Sequence, residues 1–301
     1  MLAHLSDVHL PLSGPVPFRA ILNKRLASLL SWRTKRRHRH RAEVLARLVA
    51  NLQVHALDAI AVTGDLTNLG LESEYRAARV WLDALGAPEQ VMVIPGNHDA
   101  LVPGAWPLGA AHWAAYWHGD ATPEGADVSG AFPTLRRRGP LALIGVSSAV
   151  ASPFGMAVGQ VDRAQLARLA DMLRDARAAG LCRVLMIHHP PLEGTVQARK
   201  RLRDAAAFRD VVQAEGVEMV LHGHSHRSHH QSLHTRDGDA PVIGVPSASS
   251  MHHEAAAYHL YRFVPSAQGW DMTLTARRLT PEEKVETGHR ATVTLTRAHA
   301  R

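Results

Sequence analysis

Residues 56–68 read ALDAIAVTGDLTN, an apolar run of strand length that ends in a glycine and then a carboxylate. Four other segments follow the same plan, since each places a potential metal ligand or proton carrier after an apolar stretch. The five endings are Asp7-Val8-His9, Gly64-Asp65-Leu66-Thr67-Asn68, Gly96-Asn97-His98-Asp99, His188-His189-Pro190 and Gly223-His224-Ser225-His226. Strands that end alike deliver their side chains to one edge of a sheet. The pattern therefore predicts one dinuclear metal site.

Short apolar strands alternate with amphipathic stretches along the chain, which predicts an α/β architecture. The spacing of apolar residues predicts helices over 43–53, 72–85 and 162–179. Strands are predicted over 2–5, 56–63, 91–94, 141–147, 183–187, 217–221, 242–245, 258–263 and 270–276. We expect one domain over residues 1–279, followed by a polar tail over 280–301.

Residues 100–130 are rich in Trp, Gly, Pro and His and show no clear period, so we expect an irregular insertion near the site. Within it, the spacing of Trp106, Trp113 and Trp117 is compatible with a helix face, and core packing is a better explanation for them than a base-stacking platform. Beyond the motifs, surface or supporting roles are expected for His229, His230, His234, His252 and His253.

The composition is typical of a globular enzyme, with 46% hydrophobic and 20% charged residues in a chain of 301. Neither a spanning helix nor a cleavable signal is expected, because no apolar run is long enough and the first is interrupted at Asp7. The single cysteine, Cys182, cannot form an intrachain disulfide, and a cytoplasmic location is expected. The 34 basic and 27 acidic residues favour anionic partners. Aromatic residues at 5% disfavour a nucleic-acid partner bound by stacking.

The mixture of imidazole and carboxylate side chains in the five motifs indicates the kind of metal. Such ligands suit Mn, Fe, Zn, Co or Ni better than Ca. Two such ions, about 3.5 to 4 Å apart, can clamp phosphoryl oxygens and lower the pKa of a bound water. We therefore expect two divalent or trivalent metal ions, with Mn, Fe or Zn favoured, and a phosphate ester as substrate.

The ordered set of five motifs resembles the calcineurin-like metallophosphoesterase superfamily over residues 7–226. The resemblance implies a two-sheet β-sandwich flanked by helices, the αββα fold, with metals at the carboxyl ends of strands. It implies that the first metal is bound by Asp7, His9, Asp65 and His226. It implies that the second is bound by Asp65, Asn97, His188 and His224. A metal-bridging hydroxide would attack phosphorus in line with the leaving group. His98 would protonate or stabilise the leaving oxygen, with Asp99 as its orienting partner.

Two departures from the superfamily pattern point to a branch. Protein phosphatases of this superfamily have Asp-Arg-Gly where this chain reads Asn68-Leu69-Gly70, so the arginine that grips a phosphoryl group is missing from the motif. Asn68 and the pair His188-His189 resemble the cyclic-nucleotide and glycerophosphodiester phosphodiesterases. A phosphodiesterase is therefore the favoured interpretation, with Asn68 and His189 expected to contact the substrate. A nuclease is a weaker alternative.

Residues 17–41 form a second informative segment, directly after the first metal motif. Apolar residues recur at helical spacing and a run of basic residues follows, as in an interfacial helix. We expect this insertion to hang over the metals, with Arg36 and Arg37 contacting the substrate. In plan it is similar to the insertions of UDP-diacylglucosamine pyrophosphatases, so the alternative function is a pyrophosphatase for a nucleotide-linked lipid at the inner membrane face. A packed helix with a solvated arginine loop is the simpler alternative.

Overall fold

The computed structural model describes residues 1–12, 14–122, 128 and 130–296. It contains two six-stranded sheets. The strands are β1 (Leu2–Leu5), β2 (Ala59–Val62), β3 (Val91–Val93), β4 (Thr134–Arg138), β5 (Leu141–Val146), β6 (Cys182–Ile187), β7 (Met219–His222), β8 (His229–Thr235), β9 (Gly238–Gly244), β10 (Ala257–Ser266), β11 (Gly269–Leu279) and β12 (Val285–Thr296). Their orders are β12-β11-β10-β1-β2-β3 and β4-β5-β6-β7-β9-β8.

Parallel strands form one side of the first sheet and the centre of the second. In the first sheet β1, β2 and β3 run parallel, and β10 pairs with β1 in the opposite direction. In the second, β5, β6, β7 and β9 run parallel, with β4 and β8 as antiparallel edges. The largest apolar core contains side chains of both sheets, among them Leu2, Met92 and Met186. The predicted αββα sandwich is confirmed.

The α-helices pack against the sheets, except for the first two, which lie in the insertion over residues 17–41. They are α1 (Arg25–Ser31), α2 (Arg37–Arg39), α3 (Ala42–Leu52), α4 (Glu72–Leu85), α5 (Ala105–Trp117), α6 (Arg163–Ala178) and α7 (Ala205–Glu215). Helix α3 buries residues at positions 44, 45, 48 and 52, the spacing of one helical face. Asp162 begins α6 by accepting a hydrogen bond from the backbone N–H of Gln165. None of the helices in the described part of the chain combines the length and apolar composition that crossing a bilayer would require.

The expectation of an irregular segment over 100–130 is wrong for residues 105–117, which form α5. The residues of α5 are mostly apolar or small on all its sides. Its sequence therefore has no polar face, and no helical periodicity of hydrophobic residues can be recognised in it. Trp113 and Trp117 are almost completely buried, which confirms their predicted core packing. The Trp113 indole donates a hydrogen bond to the Tyr75 carbonyl of α4. Part of the segment, 123–127 and 129, lies outside the described residues.

The polar tail expected over 280–301 is wrong for residues 285–296, because they form β12 along β11. An edge strand has a solvated edge and a solvated face, so its sequence reads as polar. Leu295 is the buried side chain of β12. Residues 297–301 lie outside the described residues.

A buried histidine at the centre of the first sheet makes the fold sensitive to acid. His259 on β10 is fully buried, and its Nδ1 lies 3.2 Å from the Tyr261 hydroxyl. The His4 and His230 rings lie 6.4 and 6.0 Å from its ring. Burial lowers the pKa of His259 to about 3, with His230 and His289 adding to the effect. The side chain is therefore neutral in the folded protein at neutral pH.

We predict that His259→Phe weakens the loss of stability in acid. An unfolded histidine takes up a proton near pH 6.5, whereas folded His259 does so only near its lowered pKa, so stability present above pH 6.5 falls as the pH falls toward 3. At about pH 5 this costs the wild type roughly 2 kcal/mol that the variant does not lose. Urea unfolding at pH 7.5 and at pH 5 measures the difference. The exposed His38→Phe variant is the control, and an equal pH dependence in wild type and His259→Phe would contradict the prediction.

Candidate metal centre

The five motifs follow the carboxyl ends of β1, β2, β3, β6 and β7, and most of their metal-binding candidates have an unusual backbone. Positive φ angles occur at Asp7 (52°), His9 (43°), Asp65 (57°), His224 (66°) and His226 (56°). Side chains other than glycine rarely adopt this left-handed region, and in the described part of the chain Glu283 is the one further case. Such strain persists where the surrounding contacts impose it, and it is concentrated at functional sites. The left-handed turns direct these side chains out of the strands toward one another.

Two glycines allow the motif loops to touch. Gly64, with φ of 94°, lies against the backbone of Gly96, where a Cβ would collide. A Cβ at Gly96 would in turn collide with the Asp65 carboxylate. Because neither glycine has a side chain, the loops after β2 and β3 pack backbone against backbone.

The first cluster consists of Asp7, His9 and His226, whose ligand atoms lie within 4.8 Å of one another. Asp7 Oδ1 lies 3.9 Å from His9 Nε2 and 3.0 Å from His226 Nε2. Two atoms that share one ion through bonds of about 2.0–2.2 Å stand roughly 3 to 3.5 Å apart. The cluster therefore has dimensions that one ion can fit with small adjustments.

The second cluster consists of Asp65, His188 and His224. His188 Nε2 lies 3.4 Å from Asp65 Oδ2 and 3.3 Å from Asn97 Oδ1. The same Asp65 oxygen lies 3.7 Å from His9 Nε2 of the first cluster. Asp65 thus lies between the clusters, and each cluster contains three of the four residues predicted for one ion.

Backbone carbonyls orient three of these imidazoles. One ring nitrogen of each donates a hydrogen bond: His9 Nδ1 to Thr67 O (3.1 Å), His188 Nδ1 to Thr63 O (2.6 Å) and His224 Nε2 to Lys200 O (3.0 Å). Histidines that ligate metals are usually held in this way, because the donated N–H leaves the other nitrogen as a lone-pair donor. These three carbonyls could not be predicted from residue type, since any residue supplies a backbone carbonyl.

The charges of the two clusters require cations. Asp7 and Asp65 are buried, and among the described residues neither has an ion pair with Lys or Arg. Asp7 Oδ1 is buried and accepts no hydrogen bond of good geometry, although His226 Nε2 lies 3.0 Å away. Although burial opposes it, the Asp65 carboxylate raises the pKa of His188 to about 9. Buried carboxylates need positive charge close by. The donor set and this Asp7 oxygen therefore fit two metal ions.

Asp99 does not orient His98, and this prediction is corrected. Its carboxylate accepts hydrogen bonds from the backbone N–H groups of residues 65–67 (2.8–3.1 Å) and of Gly96 (2.9 Å). It also accepts one from the Thr67 hydroxyl. The carboxyl group thus fixes the loop that carries Asp65.

His98 is oriented by the backbone of Asn68. His98 Nδ1 donates to the Asn68 carbonyl at 2.8 Å, which leaves Nε2 free. Burial and the nearby Arg36 lower the pKa of His98 to about 3. The Asn68 amide is buried and donates to the Leu10 carbonyl at 2.7 Å, so the predicted substrate contact through this side chain is corrected.

Of the three other predicted substrate residues, Arg36 reaches the clusters. Its guanidinium nitrogens lie 2.9 Å from His9 Nδ1 and 3.3 Å from His98 Nδ1. Arg37 is exposed and donates to the neighbouring His38 ring. His189 is fully buried behind the second cluster, where Ser148 and the Ala157 carbonyl hold its ring nitrogens. The prediction for His189 is therefore corrected, and the substrate contact of Arg37, which does not line the cavity between the motifs, stays a prediction.

Both clusters open into a cavity of about 500 Å³ with a strongly basic lining. The cationic side chains that line it are Lys24, Arg36, Arg39, Arg199 and Lys200. His252 and His253 also line it, beside the exposed Phe154. Lys24, Arg199 and Lys200 were not among the predicted site residues. The basic run over 199–203, in the loop after the fourth motif, was the available signal.

A family model described as calcineurin-like phosphoesterase matches residues 1–228. The two-sheet fold, with carboxylates and histidines gathered at the strand ends, agrees with this class. The chain belongs to the calcineurin-like phosphoesterase family and is a hydrolase that acts on phosphoric esters.

Among the proteins that the chain resembles are one relative in sequence and two solved structures. A probable cyclic nucleotide phosphodiesterase from Synechococcus sp. is 25% identical over 217 residues, which cover 68% of this chain and 70% of that protein. A dimetal phosphatase from Danio rerio superposes with a TM-score of 0.53 at 14% identity, covering 98% of both chains. The purple acid phosphatase PPD1 from Lupinus luteus seeds gives 0.53 at 12% identity, covering 97% of this chain and 53% of that one. At such identities the two structures show the fold alone.

We predict that Asp99→Asn lowers both stability and metal content. The amide carries no charge and presents one acceptor oxygen in place of two, so several buried N–H groups lose their partner, at a cost of about 3 kcal/mol. Thermal unfolding of the metal-free protein and metal analysis measure the two effects. Asp171→Asn, at a carboxylate 67% exposed, is the matched control. An unchanged melting temperature with reduced activity would instead favour a direct role for Asp99 in the reaction.

Proposed function

We propose that this hydrolase is a phosphodiesterase that works with two metal ions. The observation that supports it most is the position of Asp65 between two ligand clusters at the base of a basic cavity. We assign the first ion to Asp7, His9, Asp65 and His226. We assign the second to Asp65, Asn97, His188 and His224. Mn, Fe or Zn suit these donors.

The protein residues would each have a separate task. When bound, two such ions lower the pKa of a water and neutralise charge on phosphoryl oxygens. Arg36 would bind a phosphoryl oxygen, because its guanidinium lies beside His9 and His98 at the clusters. The buried carboxylates would keep the ligand set anionic.

His98 would give a proton to the leaving oxygen. Its Nδ1 is held by the Asn68 carbonyl, so Nε2 is the atom that exchanges the proton. Burial keeps the ring neutral in the substrate-free site, and an arriving phosphate anion favours its protonated form. Proton transfer of this kind accelerates a reaction by a factor of about 10²–10⁴.

The preference for a diester rests on two supports of unequal strength. The Synechococcus relative is described as a probable cyclic nucleotide phosphodiesterase. The missing arginine after Asn68 is the weaker support, because Arg36 brings a guanidinium to the clusters from a different segment. A panel of cyclic nucleotides, glycerophosphodiesters, phosphomonoesters and DNA with Mn²⁺ tests the proposal. Faster hydrolysis of phosphomonoesters than of every diester would overturn it.

A pyrophosphatase for a nucleotide-linked lipid is the second candidate. The several cations that line the cavity, in addition to Arg36, would suit a substrate with two phosphoryl groups. Adding a UDP-linked diacylglucosamine to the panel separates this candidate from a diesterase.

We predict that Asp65→Ala and His98→Ala fail in different ways. Asp65→Ala should lose activity and metal together, because Asp65 Oδ2 lies 3.7 Å from His9 Nε2 of the first cluster and 3.4 Å from His188 Nε2 of the second. His98→Ala should retain its metal and lose about 10²–10⁴ in kcat, with the larger loss on alkyl diesters, whose leaving oxygens need a proton more than p-nitrophenolate does. Metal analysis measures the metal content, and hydrolysis of bis(p-nitrophenyl) phosphate and of a methyl phosphodiester measures the two losses in kcat. Full activity of metal-free Asp65→Ala would falsify the mechanism.

We predict that neighbouring arginines differ sharply in their effect. Arg36→Ala should reduce kcat/KM for bis(p-nitrophenyl) phosphate by about 10- to 100-fold, because a charge-assisted contact is worth roughly 1.5 to 3 kcal/mol. Arg37→Ala is the matched control, and we expect it to keep wild-type kinetics. Arg36→Lys should recover part of the loss, since it restores the charge without the fork of donors. Equal effects of both alanine variants would contradict the role of Arg36.

A further inference from the structure

The insertion of residues 17–41 is fixed to the body of the protein by one of its faces. The Lys24 ammonium donates to the carbonyls of Ser152 (3.0 Å) and Met156 (2.8 Å). The Arg25 guanidinium donates to the Leu69 carbonyl at 2.8 Å and to the Gly70 carbonyl. One turn further along α1, Leu29 is buried in a small apolar cluster that includes Leu69, Leu71 and Leu101. The orientation of the insertion is therefore set by the folded body.

The opposite face exposes large apolar side chains. The exposed fractions are 72% for Phe18, 67% for Leu22, 45% for Leu26 and 54% for Leu30. Leu26 and Leu30 lie four residues apart on α1 and so share a face. Phe154, 66% exposed, belongs to the loop that Lys24 binds. Single exposed apolar residues are ordinary, whereas such a concentration marks an interaction surface.

The Lys and Arg residues of the insertion have no acidic residues among them. Between Asp7 and Glu43 the sequence contains no acidic residue. The cations in that interval are Arg19, Lys24, Arg25, Arg33, Lys35, Arg36, Arg37, Arg39 and Arg41. Lys24, Arg25 and Arg36 point inward, as described above. Exposed cations remain beside the apolar face at Arg19, Arg33, Lys35 and Arg37.

We propose that this outer face docks the enzyme on an anionic lipid bilayer. A bilayer of this kind offers an apolar interior for the leucines and a layer of negative headgroups for the cations. The proposal goes beyond the phosphodiesterase activity, because it concerns where the enzyme works and holds for any ester that it hydrolyses. The cavity is lined by Lys24, Ala27, Ser28 and Ser31 of the same insertion, so docking would bring the catalytic cavity close to the headgroups.

Co-sedimentation with vesicles tests the proposal. We expect the wild type to bind phosphatidylcholine vesicles that contain one third phosphatidylglycerol, to bind pure phosphatidylcholine at least 10-fold more weakly, and to be released between ~0.1 M and ~0.5 M NaCl. The double variant Leu22→Ser/Leu26→Ser should bind the anionic vesicles about 10- to 100-fold more weakly. Val54→Ser/Val80→Ser is the matched control, because these valines are 74% and 69% exposed outside the insertion.

Hydrolysis of bis(p-nitrophenyl) phosphate in solution separates docking from catalysis. We expect the leucine variant to keep wild-type activity on this substrate, which also shows that it is folded. Equal binding to neutral and anionic vesicles, or equal loss in the valine control, would overturn the proposal. So would a concentration-dependent dimer that the leucine variant abolishes without any binding of vesicles, since the face would then join two copies of the chain.

Discussion

Two buried carboxylates, Asp7 and Asp65, impose the constraint on which the rest of the site depends. Within the described chain no lysine or arginine forms an ion pair with either, so their charge is balanced by nearby imidazoles and by any metal that binds. Bringing carboxylates and histidines from two sheets to one point requires turns that extended strands cannot make. The left-handed backbone at five of the predicted ligands provides those turns. Asp99 and the contact between Gly64 and Gly96 hold the strained loops in place.

The insertion after the first motif lines the cavity and also presents an exposed face at the protein surface. Its inner side is polar where it meets backbone carbonyls and apolar at Leu29. Because these contacts fix the segment, Arg36 is held at the metal clusters, and Leu26 and Leu30 are held outward. A plain packed helix would account for the inner face alone. The exposed leucines and the absence of acidic residues indicate a second use for the outer face.

The sequence predicts the fold and the gathering of the motifs well, because both depend on short-range patterns. The strand at 2–5 and the helix at 72–85 agree with the structure residue for residue. Helix α5 was missed because it is apolar on all sides, and β12 because an edge strand resembles a polar tail. The roles given to Asn68, His189 and Asp99 failed for another reason. Each side chain is held by hydrogen bonds to groups from other segments, such as the Leu10 carbonyl, the Ser148 hydroxyl and the Asp65 N–H, and residue type does not specify these partners.

The position of Arg36 changes how a missing motif residue should be interpreted. The absence of an arginine after Asn68 disfavours phosphoprotein substrates only if no other segment supplies a guanidinium. Here the insertion supplies one, 62 residues before His98 in sequence and 3.3 Å from its ring. An arginine from any segment of the chain can bind a phosphoryl group if the fold places it in the cavity, because electrostatic attraction depends on distance in space and not on distance along the sequence. Substrate preference in this enzyme should therefore follow from the shape and charge that the insertion gives to the cavity, more than from the motif that lacks the arginine.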